Sequence, residues 1–228
     1  MQPATRSYRW LFVSLAVIGL AADLGTKYGM FHWLHNGGQA VDQGAFRTYA
    51  FDGQVVHGEY DVIPGWFKFT AEFDPATPTA ESGLQKSLQT WSAPVMPRVN
   101  HGALFGIGQQ HKGLSNGVFA VVCVVAAVAI GIWVSRGQAR HDRWLCTALG
   151  LVCAGTLGNF YDRVVFGGVR DFLHFYKQYQ GQEWPVFNVA DCCLVVGACV
   201  LLVQAMFAPS PEKKTATVEP QPAATPVP

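Results

Sequence analysis

Asp162, Asp171 and Asp191 are the residues best placed to do chemistry. They share one stretch, Gly155 to Asp191, with Asn159, Arg163 and Asn188. Two carboxylates that hold one proton between them can activate water with the ionised member and protonate a reacting oxygen with the other. Close approach of like charges supplies the split in acidity. The three Asp therefore offer the parts of an aspartyl hydrolase, and spacing alone does not say which two pair. Asn188 is a favoured helix N-cap, and Asp191 then takes the third helical position, as in a capping box. The positive end of the helix dipole favours an anion there. That makes Asp191 a carboxylate expected to ionise easily.

Other chemistries lack their parts. There is no convincing nucleophile. The six cysteines, Cys123, Cys146, Cys153, Cys192, Cys193 and Cys199, all fall in apolar runs and read as small buried residues. His32 and His35 have a His-x-x-His spacing without a third ligand, so no metal is expected. No cofactor is called for. The net charge of +1 gives no electrostatic footprint for a nucleic acid.

The elements that hold these residues are membrane spans. Four apolar runs, at about 8–23, 114–134, 144–161 and 189–207, approach the roughly 20 residues needed to cross a bilayer. Ionisable groups at membrane depth are functional suspects. The first run, with Arg6 and Arg9 before it, also has the form of a cleavable signal peptide, but three further runs favour an anchor. It ends at Asp23 and Lys27, whose spacing of four places an acid–base pair on one helix face. In the third run, Gly150, Ala154 and Gly158 recur at intervals of four, which lets helices approach closely.

Residues 29–112 form a long polar and aromatic segment. Phe67, Phe69, Ala71 and Phe73 alternate with Lys68, Thr70 and Glu72, a period-two strand pattern preceded by a Pro64-Gly65 turn. Residues of about 72–97 are rich in Pro, Thr, Ser and Ala and read as a loop-like insertion that could be deleted without loss of the core. Asn100 and Gly102 suit a tight turn. Ser135 to Arg143 is a basic hinge, and 208–228 reads as a disordered tail. Arg6, Arg9, Arg136, Arg140, Arg143, Lys213 and Lys214 fall on one side of the membrane, which by the positive-inside rule is the cytoplasm. Both termini are then cytoplasmic, and 29–112 and 162–187 are extracytoplasmic. A proton-coupled transporter or channel subunit is the competing class. It predicts carboxylates deep within the spans.

In this order the chain carries Asp23-Leu-Gly-Thr-Lys27, Ile63-Pro-Gly-Trp-Phe-Lys-Phe-Thr70, Asn100-His-Gly-Ala-Leu-Phe105, Gly155-Thr-Leu-Gly-Asn-Phe-Tyr-Asp-Arg163, Val169-Arg-Asp-Phe172 and Phe187-Asn-Val-Ala-Asp191. Together these pieces resemble the lipoprotein signal peptidase (signal peptidase II) family, aspartyl proteases of the bacterial inner membrane. The resemblance implies an all-α polytopic membrane protein of four transmembrane helices, with a small extracytoplasmic sheet and cradle. It implies removal of the signal peptide just before the diacylglyceryl-modified cysteine of a prolipoprotein, with Asp171 and Asp191 as the catalytic pair. It assigns support and substrate contact to Asp23, Lys27, Asn100, Gly102, Asn159, Asp162, Arg163, Asn188 and Ala190. The partners expected are prolipoproteins and membrane lipid, with no nucleic acid, and the chain is expected to be a monomer. The sequence departs from the family pattern at Arg170, Leu104 and Leu24, and residues 74–97 lengthen the path from Thr70 to Asn100.

Overall fold

The computed structural model describes residues 6–102, 112–136, 138–177 and 184–207. Expectations for the 208–228 tail, for Lys213 and Lys214, and for Leu104 and Phe105 lie outside these residues.

Four described helices are long and apolar enough to cross a membrane. They are contained in α1 (Arg9–His35), α3 (Lys112–Arg136), α4 (Arg143–Val165) and α5 (Val189–Phe207). One end of the bundle gathers the start of α1, the end of α3, the start of α4 and the end of α5. There Tyr8 N–H donates to Arg140 C=O at 2.7 Å, Arg9 bonds the Ser135 carbonyl, and Gln204 bonds Asp142. Asp142 also caps α4, accepting from the amides of Trp144 and Leu145. The basic hinge is a short turn that carries Arg140 to this end.

α4 is the central helix and touches the other three. Of its apolar window 56% is buried, against 6% for α3, where Val118, Val121, Val124, Val125 and Val128 are exposed as lipid-facing residues must be. The small-residue row explains the close approach of α1 and α4. A Cβ on Gly150 would come within 2.9 Å of Phe12 C=O, and one on Gly158 would strike the Asp23 carboxylate. A second close approach runs to α5, where a Cβ on Gly155 would collide with the Ala190 carbonyl. Cysteine burial is less uniform than expected. Cys146 and Cys153 are buried at the α4 seam, but Cys199 is exposed on α5, on a surface that lipid would cover.

The architecture is not all-α. A five-stranded antiparallel sheet, ordered β1-β2-β3-β4-β5, packs on the C-terminal end of α1. Its strands are β1 (Val41–Gln43), β2 (Phe46–Phe51), β3 (Gln54–Ile63), β4 (Phe67–Glu72) and β5 (Leu173–Phe175). The Phe67–Phe73 alternation becomes β4. Its turn forms at Pro64-Gly65, with Gly65 at φ +80° and Trp66 N–H donating to Ile63 C=O at 2.9 Å. That φ suits glycine at the third position of a type II turn after proline. β5 comes from the connection between α4 and α5 and pairs with β4 through Phe69 and Leu173. The sheet therefore ties the long first connection to the segment that carries Asp171. Phe31 and Leu34 of α1 and Phe73 and Phe172 from the sheet side form the core of this junction.

Two elements differ from the sequence reading. α1 continues past Asp23 to His35, because Phe31 and Leu34 bury against the sheet and extend the helix beyond its apolar run. The insertion is not only loop. It contains helix α2 (Gly83–Ser92), which packs on α1 and α4. Tertiary contacts override the weak local helix signal there.

Candidate active site

Asp171 lies in an extended segment between α4 and β5. Val169 and Asn100 exchange both backbone hydrogen bonds, at 2.8 and 2.9 Å, and Phe172 C=O accepts from Thr70 N–H at 2.9 Å. The segment is thus braced by the strand around Asn100 and by β4. In an extended chain successive side chains point to opposite sides. Asp171 emerges half-buried into a cleft, while its neighbours Arg170 and Phe172 are fully buried.

Asp191 arrives from the other side, in the first turn of α5. The expected capping box is present in both directions. Asp191 N–H donates to Asn188 Oδ1 at 3.0 Å, and Asn188 N–H donates to Asp191 Oδ2 at 3.2 Å. The Asn188 side-chain amide then donates to Asp171 Oδ1 at 2.7 Å and to Asn159 Oδ1 at 3.2 Å. Asn159 in turn donates to Asp191 Oδ1 at 2.9 Å, and Asn100 donates to Asp171 Oδ2 at 3.2 Å. Two asparagines on α4 and at the start of α5 therefore fix both carboxylates relative to one another. Burial, and then the neighbouring Asp191 carboxylate, push the Asp171 carboxyl up to about 7, against the pull of its amide donors and Lys27.

Behind the pair lies a buried ionic row. Lys27 Nζ is 2.8 Å from Asp23 and 3.4 Å from Asp162, and Arg170 is 2.8 Å from Asp162. All four side chains are fully buried. The row alternates in sign and sums to zero, the condition under which buried charges are tolerable. Lys27 also donates to Asn159 Oδ1 at 3.2 Å, which holds Asn159 in the orientation Asp191 needs. Asp23 accepts from Ala190 N–H at 2.8 Å and so anchors the start of α5 to α1. Asp23 and Asp162 lie inside helices, and each is neutralised at once by a cation.

The structure separates the three Asp of the sequence reading. Asp171 and Asp191 share Asn188 and face the cleft, whereas Asp162 is committed to Arg170 and Lys27. Asn100 and Gly102 form the expected turn, Gly102 N–H donating to Asn100 Oδ1 at 3.0 Å. Arg163 lines the cleft. It donates to Asn159 C=O at 3.1 Å, and its buried Nε has no partner among the described atoms. His35 packs edge-on against Phe73 in the core, and no group of three potential metal ligands occurs among the described residues. Sequence reasoning missed Ser92 and the role of Arg170. An arginine beside a candidate catalytic Asp was the available signal, but its partner sits on a helix the composition concealed.

The cleft has a volume of about 2410 Å³. It is lined by the carboxyl pair, by Phe119 and Val122 of α3, by Leu194 and Val195 of α5, and by Trp66 and Phe187. Such a site can hold an extended apolar ligand across two carboxylates.

Residues 15–207 match the family described as signal peptidase (SPase) II. The chain belongs to the signal peptidase II family. Several proteins called lipoprotein signal peptidase are similar to it. That of Rhodopirellula baltica is 33% identical over 205 residues, covering 85% of this chain and 70% of the relative. That of Pseudomonas putida is 40% identical over 167 residues, 73% of this chain and 80% of the relative. That of Methylobacterium sp. strain 4-46 is 41% identical over 108 residues, and there the alignment spans only 62% of the relative. A solved bacterial membrane enzyme shares the fold, with a TM-score of 0.59 at 20% identity over 96% of this chain and 98% of that one. This signal peptidase II family member is a multi-pass bacterial membrane protease, and the transporter reading is set aside.

Proposed function

We propose that this protein removes the signal peptide from diacylglyceryl-modified prolipoproteins, cutting before the lipidated cysteine, with Asp171 and Asp191 as its catalytic pair. The observation that carries the assignment is the Asn188 bridge. One residue caps α5 through Asp191 and donates to Asp171, while the third carboxylate is spent on ion pairs. The apolar walls of the cleft suit the acyl chains and the hydrophobic signal segment of such a substrate.

The roles within the pair follow from their surroundings. Asp191 accepts two N–H bonds at the positive end of α5 and serves as the ionised base that takes a proton from the attacking water. Asp171, pushed up to about 7, carries the shared proton and gives it to the scissile carbonyl oxygen. The gem-diol intermediate then collapses: the proton taken up by Asp191 passes to the leaving amine, and a hydroxyl proton returns to Asp171, which restores the pair and leaves a carboxylic acid product.

Arg6, Arg9, Arg136, Arg140 and Arg143 lie near the end of the bundle away from the sheet, which supports a cytoplasmic placement of both termini and an extracytoplasmic active site. Residues 1–207 then form one membrane peptidase domain that works as a monomer among lipids, without nucleic acid or cofactor.

Cleavage of a lipidated prolipoprotein by the purified full-length protein tests this reading. Asp171→Asn and Asp191→Asn should each lower the rate at least about a hundredfold. Unchanged cleavage in either variant removes that residue from the pair.

A further inference from the structure

Arg170 makes every contact expected of a fastening and none expected of a substrate ligand. Its side chain is fully buried. Nη2 donates to Asp162 Oδ1 at 2.8 Å, and its own backbone N–H donates to Asp162 Oδ2 at 2.9 Å. Nη1 donates to Ser92 Oγ, also fully buried, at 2.9 Å. The guanidinium plane lies 3.8 Å from the Phe166 ring centroid and 4.4 Å from that of Tyr28. A planar fork with several donors can hold three elements at once, which a lysine cannot do.

The elements held are α4 through Asp162, α1 through Tyr28, and α2 through Ser92. α2 is itself fixed by more than this bond. Gln85 and Gln89 donate to Val165 C=O at 3.0 and 2.7 Å, satisfying a carbonyl of the last turn of α4 that has no helical partner. Trp91 packs on Tyr28 with ring centroids 5.3 Å apart. The chain then returns from α2 through Phe73–Pro97 pairing to Asn100, which bonds both Val169 and Asp171.

We infer that Arg170 is a positioning residue for Asp171, and that helix α2, through Ser92, is part of the frame that holds the catalytic carboxyl in place. The inference rests on the assignment of Asp171 to the catalytic pair. In the extended segment Arg170 and Asp171 point to opposite sides, so a tether on the buried side sets how far the carboxyl projects into the cleft on the other. Rotation or slippage of this segment separates Asp171 from Asn188 and from the scissile carbonyl. A displacement of about 1 Å at a catalytic group is enough to cost about a hundredfold in rate.

The test measures kcat per folded enzyme and KM on a lipidated prolipoprotein, with thermal unfolding in detergent reporting the folded fraction. Ser92→Ala should lower kcat about three- to tenfold with KM unchanged. Arg170→Met should lower kcat about a hundredfold, and Arg170→Lys should recover part of that loss. Because Ser92 acts through Arg170, the double variant Ser92→Ala/Arg170→Lys should lose less than the product of its single effects. If Arg170→Met does not fold, Ser92→Ala, Arg170→Lys and their double decide the matter. Wild-type kcat in folded Ser92→Ala and Arg170→Lys overturns the inference, as do fully multiplicative effects in the double. Asp171→Asn is assayed alongside. If it still cleaves, the assignment of the pair fails. If it is inactive while the Arg170 and Ser92 variants cleave normally, only the positioning role fails.

Discussion

Asn188 and Asp191 cap each other: Asn188 Oδ1 accepts from Asp191 N–H at 3.0 Å, and Asp191 Oδ2 accepts from Asn188 N–H at 3.2 Å. The proposed base is thus oriented by the same bonds that start its helix. The cap and the chemistry can be separated by substitution. Asn188→Ala loses both and should cost about 1 kcal/mol of stability together with most of the activity. Asn188→Ser keeps an N-cap oxygen but loses the amide donor to Asp171 without adding a charge. Its thermal midpoint should stay near wild type while kcat falls by about a hundredfold or more. Near wild-type kcat in Asn188→Ser beside a large loss in Asn188→Ala would mean that Asn188 matters only as a cap.

Asp171 ionises late, and the sign of its effect on pH dependence is fixed. In the proposed mechanism cleavage needs the protonated Asp171 carboxyl, so activity should fall as pH rises through about 7. Stability moves the same way. In the unfolded chain an Asp loses its proton near pH 3.9, so between about 4 and 7 the folded state binds more protons and stability drops as pH rises. Asp171→Asn removes this penalty. The midpoint difference between Asp171→Asn and wild type should grow from pH 5 to pH 8. A difference that is flat with pH would contradict the lowered acidity of Asp171.

Site-resolved infrared spectroscopy of isotope-labelled carboxyls tests the roles within the pair, which a pH–rate curve cannot do because its constants belong to both groups. The resting enzyme near neutral pH should show the protonated carboxyl mainly at Asp171. A proton found mainly at Asp191 reverses the roles and leaves the pair standing.

Lys27 is the one cation shared by Asp23, Asp162 and Asn159. Lys27→Met leaves two buried carboxylates with a single cation, Arg170, between them. Breaking one member out of such a group costs about 3–5 kcal/mol. The expected result is a large fall in thermal midpoint and loss of cleavage. A Lys27→Met protein as stable as wild type would show that the row is not ionised as drawn.

Gly158→Ala and Gly155→Ala place a methyl against the Asp23 carboxylate and the Ala190 carbonyl. Each should cost about 1–3 kcal/mol. Each should also lower kcat, because α5 must shift and Asp191 rides on its first turn. Gly131→Ala on α3 meets nothing within 4 Å and serves as the control, with stability at or slightly above wild type. Equal effects at the three glycines would remove the packing argument.

Much of this site could be read before any fold was known, and the reason is local. The Asn188–Asp191 box, the Asp23–Lys27 pair and the Gly150–Ala154–Gly158 row each depend on a spacing within one element. The strand at Phe67 announced itself by alternation and a Pro-Gly turn. What was hidden depends on meetings between elements. Nothing in the order of residues says that Gln85 and Gln89 find the last turn of α4, or that Ser92 finds Arg170. For the same reason residues 74–97 looked removable. Three of their polar side chains, Gln85, Gln89 and Ser92, are spent on partners elsewhere in the fold. The three Asp could not be sorted by spacing either, because Asp162 is set apart only by the cation that folds back onto it.

The ionic row also bears on how the chain enters the bilayer. Its two shortest pairs each join residues that leave the ribosome almost together, Asp23 with Lys27 and Asp162 with Arg170. A lone charge near the middle of a span costs about 2.5–3.5 kcal/mol during insertion. A segment that brings its own counter-charge can partition into lipid as a neutral body before it has met any other helix. Exchanging Gly25 and Lys27 keeps the composition of α1 and breaks the one-turn spacing. In a glycosylation-reporter assay of membrane integration, that exchanged segment should insert less efficiently than the natural one, and equal insertion would show that the pair forms only after assembly.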